Sequence, residues 1–130
     1  MTSKPETLLI HRIHSRITPK LHRQKQNNAF TSGIPDVWYS GTKADLWVEY
    51  KYGDNTLSPL QKLWLQRRHA EGRNLAVIHC LTSGKNVLLE DSDMFLPVST
   101  VKHMSVMDDD ETAQWILSKT MQPHSLYVED

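Results

Sequence analysis

Three charged residues lie inside apolar, β-prone stretches of the chain: Asp36 in GIPDVW, and Glu49 and Lys51 in LWVEYK. If LWVEYK is a strand, Glu49 and Lys51 share one face and lie about 6 to 7 Å apart along the backbone. Asp36 would begin the partner strand of a hairpin and so approach Glu49 across the ladder. Two carboxylates close together in a partly dry site repel each other, and this repulsion favours binding of a divalent cation.

The carboxylate oxygens of Asp36 and Glu49 favour Mg²⁺, for which Mn²⁺ is expected to substitute, over zinc. A magnesium ion held by one or two carboxylates keeps coordination positions for water and a phosphate. Lys51 beside it could orient and activate that water, or neutralise charge that develops on the phosphate oxygens. These residue types at this spacing therefore predict hydrolysis of phosphodiester bonds.

A helix and a hairpin are the first elements that must position these residues. SKPETLLIHRIHSRI begins with Ser3 three residues before Glu6 and has apolar residues four apart, which predicts an amphipathic helix ending near Thr18. PDVWYS and ADLWVEYKY, separated by GTK, predict the two strands of the hairpin. The segment between the helix and the hairpin, LHRQKQNNAFTSG, has no periodicity and predicts a loop or an edge strand.

The rest of the chain predicts a helix, two strands and a C-terminal helix. LSPLQKLWLQRRHAEG has Ser58 as an N-cap, Gln61 three residues later, and Gly72 as its stop. Its predicted apolar set is Leu60, Leu63 and Trp64. NLAVIHCL predicts a strand buried on both faces, GKNVLLE a further strand, and DDDETAQWILSKT a helix. The order α, β, β, α, β, then β and α predicts an α/β (α+β) fold with a mixed sheet flanked by helices.

Length and composition bound the class of protein. The 130 residues, of which 38% are apolar and 23% charged, are enough for one globular domain. Cys80 is the only cysteine, so an intrachain disulfide is excluded and a reducing compartment is favoured. Neither a signal peptide nor an apolar membrane span is evident. We therefore expect a soluble cytoplasmic protein, and a phage-encoded enzyme acting in its host cell is consistent with this.

Charge is distributed unevenly along the chain. Residues 1–30 carry six Lys and Arg against one Glu, whereas residues 86–130 carry two Lys against nine Asp and Glu. This predicts a basic helix and DNA-contacting loop over 1–30, a catalytic core over 31–85, and an acidic portion over 86–130 with oligomer contacts. Arginine suits guanine, and glutamine or asparagine suits adenine. The candidate DNA-binding residues are Arg12, Arg16, Lys20, Arg23, Gln24, Lys25, Gln26, Asn27 and Asn28.

Pro35-Asp36 followed by Glu49-x-Lys51 resembles the signature of the PD-(D/E)XK nuclease superfamily. With SGIPDVW, LWVEYK and a glutamine near the start of the next helix, residues 30–79 look like its VRR-NUC branch. The resemblance implies Asp36, Glu49 and the main-chain carbonyl of Tyr50 as metal ligands. It implies Lys51 as the catalytic lysine, Gln61 as a polar contact in the active site, and Glu6 as a further acid. The implied reaction is in-line attack by water activated at the metal, leaving 5′-phosphate and 3′-hydroxyl ends.

The resemblance implies a DNA endonuclease, for which two substrates are open. Small phage-borne homing endonucleases cut a long specific duplex site, and PDVWYSG with LWVEYKY favours this type. Junction resolvases, the alternative, cut branched DNA by shape. Both usually act as dimers or tetramers. Two further alternatives come from other classes of protein: a non-catalytic DNA-binding module on the same fold, and an interaction domain with an accidental motif. Neither would need Asp36, Glu49 and Lys51 together.

Overall fold

The computed structural model describes residues 5–26 and 33–123. Its helices are α1 (Pro5–His14), α2 (Pro59–Ala70) and α3 (Asp109–Thr120). Its strands are β1 (His22–Lys25), β2 (Val37–Ser40), β3 (Asp45–Tyr52), β4 (Leu75–Cys80), β5 (Asn86–Leu89) and β6 (Ser105–Met107), and two short 3₁₀ helices span Asp91–Phe95 and Val98–Thr100. The α/β fold with a mixed sheet flanked by helices is confirmed; β6 and the 3₁₀ helices were not predicted.

The six strands form one sheet in the order β1-β2-β3-β4-β5-β6. Only β3 and β4 pair in parallel, and α2 is the crossover between them, as a parallel pair requires. β2 and β3 form the predicted antiparallel hairpin, in which Val37 pairs with Val48 and Trp38 with Trp47. β1 pairs with β2 and is the edge strand. The hairpin and the crossover helix together determine where the charged residues of β3 lie.

Two apolar clusters cover opposite faces of the sheet. On one face, α1 and α3 pack against side chains such as Tyr39, Val48 and Tyr50, all fully buried. On the other face, Leu65 of α2 and Met94 of the first 3₁₀ helix pack over β4 and β5. Because β4 lies in the middle of the sheet and both its faces are covered, every residue of this strand is buried. The prediction for NLAVIHCL is therefore confirmed.

A buried chain of hydrogen bonds ties the hairpin to α1. The Tyr39 and Tyr50 hydroxyls lie 2.5 Å apart, and His14 Nε2 lies 2.7 Å from the Tyr39 hydroxyl. Burial, followed by the charge of Arg23, lowers the pKa of His14 to about 4, so the imidazole is neutral at neutral pH. Burial also raises the pKa of Tyr50. These hydrogen bonds hold β3 in place through neutral partners. They lie on the face of β3 opposite Glu49 and Lys51.

The end of α1 is described by the structure, but the residue predicted to cap its start is not. Ser3 lies outside the described residues, so the predicted capping box is not described. The helix ends at His14 rather than near Thr18. The Ser15 hydroxyl donates to the carbonyl of Arg12 at 2.7 Å, which offers the backbone a competing partner, and the chain continues in turns.

The basic first segment and the acidic last segment of the chain are in contact with each other. Arg12 Nε lies 3.1 Å from the Asp109 carboxylate, and Arg16 Nε lies 2.9 Å from that of Asp110. The reason is that α1 and α3 pack side by side on one face of the sheet. The acidic start of α3 therefore compensates part of the positive charge of α1.

The predicted apolar face of α2 is wrong. Leu60 and Leu63 are 53% and 41% exposed, whereas Leu65 is fully buried. Positions i, i+4 and i+7 of the inward face are Gln61, Leu65 and Arg68, with Trp64 beside them. Because two of these inward positions are polar, apolar periodicity alone gave the wrong face.

Two matched substitutions test this orientation of α2. Leu65→Ala should lower the free energy of unfolding by about 2 to 5 kcal/mol, because it leaves a cavity in a packed cluster. Leu60→Ala removes the same atoms from an exposed position of the same helix and should change the stability by less than about 0.5 kcal/mol. Urea unfolding followed by circular dichroism gives both values. Equal losses in the two variants would show that α2 is oriented differently.

No helix among residues 5–26 and 33–123 has the length and apolar character needed to cross a membrane.

Candidate active site

The register of the hairpin places Asp36 opposite Glu49. Val37 pairs with Val48, so Asp36, one residue before β2, is level with Glu49 on the face that carries Trp38 and Trp47. Gly33 has φ +97°, and a Cβ there would lie 2.7 Å from the carbonyl oxygen of Leu60. Only glycine allows this close approach to the start of α2. The glycine of the G-x-P-D pattern therefore brings Asp36 beside α2.

The backbone of Tyr50 faces Asp36. Its N–H donates to Asp36 Oδ2 at 2.9 Å. The N–H of Trp47 donates toward β4, to the carbonyl of Asn74, and backbone groups alternate along a strand, so those of Tyr50 point away from β4. On that side β2 has not yet begun, and the Tyr50 carbonyl is directed to the space beside Asp36.

Glu49, Lys51 and Gln61 form a triangle of polar contacts. Lys51 Nζ lies 3.3 Å from Glu49 Oε2 and donates to Gln61 Oε1 at 3.0 Å. Gln61 Nε2 donates to Glu49 Oε2 at 3.1 Å. The side chain of Gln61 also accepts from the N–H of Ser58 at 2.8 Å, which completes the capping box of α2. One glutamine thus fixes the start of α2 and the position of Lys51.

An open cleft of about 290 Å³ collects these groups. Glu6 reaches it from the first turn of α1 and accepts a hydrogen bond from the Asn55 amide at 2.9 Å. Lys25 and Gln26 reach it from the edge strand. All five residues predicted to be catalytic line the cleft: Glu6, Asp36, Glu49, Lys51 and Gln61.

Burial raises the pKa of both carboxyl groups. Glu49 is 3% exposed, and burial, followed by the charge of Asp36, raises its pKa to about 8, although Lys51 acts in the opposite direction. Burial also raises the pKa of Asp36, against the hydrogen bond from the Tyr50 N–H. The charge of Asp36 is one cause of the raised pKa of Glu49, so without a cation the two carboxyls tend to share a proton.

The cleft fits a divalent cation. Glu49 Oε1 is buried and has no hydrogen-bond partner among the described residues, and an unpaired buried carboxylate oxygen is costly. No group of three or more His, Cys, Asp or Glu side chains placed to hold a metal occurs in residues 5–26 and 33–123. The protein ligands available here are the two carboxylates and the Tyr50 carbonyl, and hard oxygens of this kind favour Mg²⁺.

The predicted DNA-binding residues lie in different surroundings. Arg12 and Arg16 are paired with acids of α3, as described above. Arg23 donates to the carbonyls of His14 at 3.1 Å and Thr18 at 3.4 Å, so its guanidinium is tied to the end of α1. These three arginines are already engaged within the protein.

The other predicted DNA-binding residues lie on or near the edge strand. Lys20 and Gln24 are exposed, and Lys25 and Gln26 line the cleft. The N–H of Gln26 donates to the carbonyl of Asp36 at 2.7 Å, which places this segment directly beside the carboxylates. Asn27 and Asn28 lie outside the described residues.

Two features of the site were missed by sequence reasoning. Asn55, the partner of Glu6, lies in a turn with no recognisable pattern. The other feature is a row of three half-buried rings, which belong to Trp38, Trp47 and Trp64. Alternation in the hairpin already placed Trp47 on the face of Glu49, and this was the available signal.

No protein-family model matches the chain, and no curated protein matches it. The chain is similar to Hjc, a Holliday junction resolvase from the archaeal hyperthermophile Archaeoglobus fulgidus, with a TM-score of 0.52 and 15% sequence identity. The similarity covers 85% of this chain and 96% of Hjc. At this identity the likeness establishes the fold alone.

Proposed function

We propose that the protein is a Mg²⁺-dependent endonuclease that hydrolyses phosphodiester bonds in branched DNA. The observation that carries the chemistry is the cluster of Asp36, Glu49 and Lys51 in one cleft, where Glu49 Oε1 is buried and has no hydrogen-bond partner among residues 5–26 and 33–123. The choice of branched DNA rests on the likeness in fold to a Holliday junction resolvase.

Each side chain of the cleft has a distinct role in this reaction. A Mg²⁺ ion held by Asp36, Glu49 and the Tyr50 carbonyl would supply Lewis acidity at the phosphate and lower the pKa of water. Lys51, fixed by Gln61 and Glu49, donates hydrogen bonds to the attacking water or to the phosphate oxygens as negative charge grows on them. Glu6, at the rim, is placed to orient water through its carboxylate.

The step itself balances without a further reactant. The water oxygen forms a bond to phosphorus, one proton leaves that water, and the bond from phosphorus to the 3′ oxygen breaks. The 3′ oxygen takes up a proton, which gives a 3′-hydroxyl and a 5′-phosphate. Because one such site cuts one strand, paired nicks call for two copies of the chain, as a dimer or a tetramer.

A site-specific, homing-type enzyme acting on duplex DNA is the second candidate. The position of Gln26 in the cleft, with Gln24 exposed on the same edge strand, favours this possibility, because glutamine can hydrogen-bond to the edge of adenine in the major groove. The complete set of Asp36, Glu49 and Lys51 argues against a third candidate, a DNA-binding module without catalysis.

A cleavage assay distinguishes the two substrates. The protein is incubated with Mg²⁺ and either a four-way junction or linear duplexes of the same arm sequences, with a chelator as control. Paired nicks near the branch point, absent from the linear duplexes, are the expected result. Discrete cuts in long natural DNA but none in the junction would support the homing type. The absence of a metal-dependent product from every substrate would contradict the proposal.

A pair of capping-box variants tests how Lys51 is positioned. Gln61→Ala removes both the cap of α2 and the partner of Lys51, and should lower the cleavage rate by about 10-fold or more. Glu111→Ala removes the matching residue of the α3 capping box, far from the cleft, at the same expected cost of about 1 kcal/mol in stability. Rates measured at saturating DNA should fall for Gln61→Ala alone. Equal rates in the two variants would limit Gln61 to capping.

A further inference from the structure

The row of residues next to the catalytic carboxylates is aromatic. Asp36 and Glu49 are level with each other on the hairpin, and the next pair on the same face is Trp38 with Trp47. One step of two residues along a strand separates the rows, about 6 to 7 Å. Trp64 of α2 continues the row, since its ring centroid lies 5.2 Å from that of Trp47.

Trp38 is not part of the interior. The rings of Trp47 and Trp64 pack in part against the cluster under α2, but Trp38 packs against neither of the two apolar clusters. It lies 6.1 Å from Trp47 by ring centroids, at an interplanar angle of 34°, and 5.7 Å from the exposed ring of His22. The indole of Trp38 therefore packs against rings at the surface rather than against either apolar cluster of the described residues.

An open pocket of about 320 Å³ lies over this row, which is within the size range of small-molecule sites. The three tryptophans form its apolar wall, and Arg68, Arg73 and Asn74 supply polar groups. Because α2 covers β4 and β5, the face of β1 and β2 beside the pocket carries no helix among the described residues. The pocket and the cleft are therefore neighbours on the same face of the hairpin.

The charges around the pocket nearly cancel. Arg68 and Arg73 lie 3.2 and 3.5 Å from the Glu71 carboxylate, and Asp45 accepts from the Trp38 indole at 3.2 Å. The Arg68 guanidinium lies 5.5 Å from the Trp64 ring, and its Nε is the atom that faces Glu71. The pocket thus offers flat π faces rather than a strong positive field.

We propose that the pocket of Trp38, Trp47 and Trp64 binds an unpaired nucleobase of the DNA strand whose phosphate lies in the cleft of Asp36 and Glu49. This inference rests on the proposed function, because it takes the cleft as the place of the phosphate. Every base has a π face, so stacking tolerates any sequence, and each stacked base contributes about 1 to 3 kcal/mol. Gln24, opposite Trp38 in the register, can bond the edge of the base.

A pocket that binds an unpaired base would favour a branched DNA substrate. In a continuous duplex each base is held in the stack and its extrusion costs a few kcal/mol, whereas a base that is mismatched or single-stranded leaves at lower cost. A pocket for one extruded base beside the scissile phosphate would therefore favour branch points and flaps over uninterrupted duplex. Selection by structure then needs no base-specific contact.

A binding experiment with the full chain tests the pocket. Fluorescence anisotropy in chelator is measured with a labelled oligothymidine and with an abasic strand of the same length. Removal of the bases should weaken binding by about 5- to 150-fold, the equivalent of 1 to 3 kcal/mol. The ratio should persist when salt is raised, because stacking releases no counterions. Equal affinities for the two strands would overturn the proposal.

Substitutions at one position provide the matched control. Trp38→Phe keeps an aromatic face and should retain most of the preference for bases, whereas Trp38→Leu keeps apolar volume alone and should lose it, with folding checked by circular dichroism. Equal preference in both variants would overturn the role of Trp38. A second copy of the chain is the alternative occupant of the pocket, and sedimentation tests it. Loss of self-association in Trp38→Leu, with unchanged oligonucleotide binding, would assign the pocket to that second copy and overturn the proposal.

Cleavage by the same preparations separates this inference from the proposed function. If Mg²⁺-dependent cleavage occurs and the abasic strand binds equally well, the base pocket fails and the nuclease stands. If the preference for bases is present and no substrate is cleaved, the base pocket stands and the nuclease fails.

Discussion

Lys51→Ala is expected to lower the rate of Mg²⁺-dependent DNA cleavage by about 10²- to 10⁴-fold, the range for losing a positioned group that stabilises transition-state charge. The side chain of Lys51 is 13% exposed, and its ammonium group is held between Glu49 and Gln61. DNA affinity should change by less than about threefold, since one phosphate contact among many is lost. Single-turnover rates at saturating DNA measure the first effect and anisotropy the second.

Lys85→Ala is the control for the loss of a positive charge. Lys85 lies exposed in the turn between β4 and β5, away from the cleft. Its variant should cleave at the rate of the original protein. Cleavage by Lys51→Ala at an undiminished rate would remove Lys51 from the mechanism, whereas loss of DNA binding in this variant would assign it to the binding of substrate.

Glu49→Gln is expected to abolish cleavage and yet to stabilise the metal-free protein at alkaline pH. The pKa of Glu49 rises from 4.5 to about 8 on folding, chiefly through burial. Folding therefore favours the protonated carboxyl. The stability that this proton confers is fully present below about pH 4.5 and is lost as the pH rises to about 8, by several kcal/mol in order of magnitude. Glutamine cannot ionise, so the variant escapes this loss.

Thermal unfolding in chelator from pH 5 to pH 9 measures this effect. The midpoint of Glu49→Gln should exceed that of the original protein increasingly toward pH 9, while Glu111→Gln, at an exposed position of α3, should follow the original profile. Added Mg²⁺ should stabilise the original protein more than Glu49→Gln, because the cation binds the ionised carboxylate. A variant less stable at every pH would show that Glu49 is a structural group rather than a strained ligand.

The fold was largely predictable because its central elements have local signals. The hairpin follows from alternation around GTK, α2 and α3 from their capping boxes, and β4 from an uninterrupted apolar run. β6 was missed because three mostly exposed residues at a sheet edge have neither alternation nor an apolar run. Its pairing with β5 is a tertiary contact that a single sequence does not reveal.

Contacts between site residues could be predicted only where the residues belong to the same element or to neighbouring elements of the sequence. The period of a strand placed Glu49 beside Lys51, and a capping box placed Gln61 at the third position of α2. The approach of Glu6, from the first turn of α1, depends on how α1 packs on the sheet. Polar inward positions of α2 obscured its periodicity, and for this reason Leu65 was overlooked. Residues of the proposed site thus broke the local pattern from which the structure was predicted.

The central claim is that Asp36 and Glu49 hold a divalent cation, and direct titration with Mn²⁺, followed by electron paramagnetic resonance, tests it most directly. We expect the original protein to bind the ion at the cleft, with affinity that increases from pH 6 to pH 9 as the carboxyl proton is displaced. Asp36→Asn and Glu49→Gln should each weaken this binding by about 10-fold or more. Binding of equal strength in the original protein and in both variants would contradict the assignment of the site.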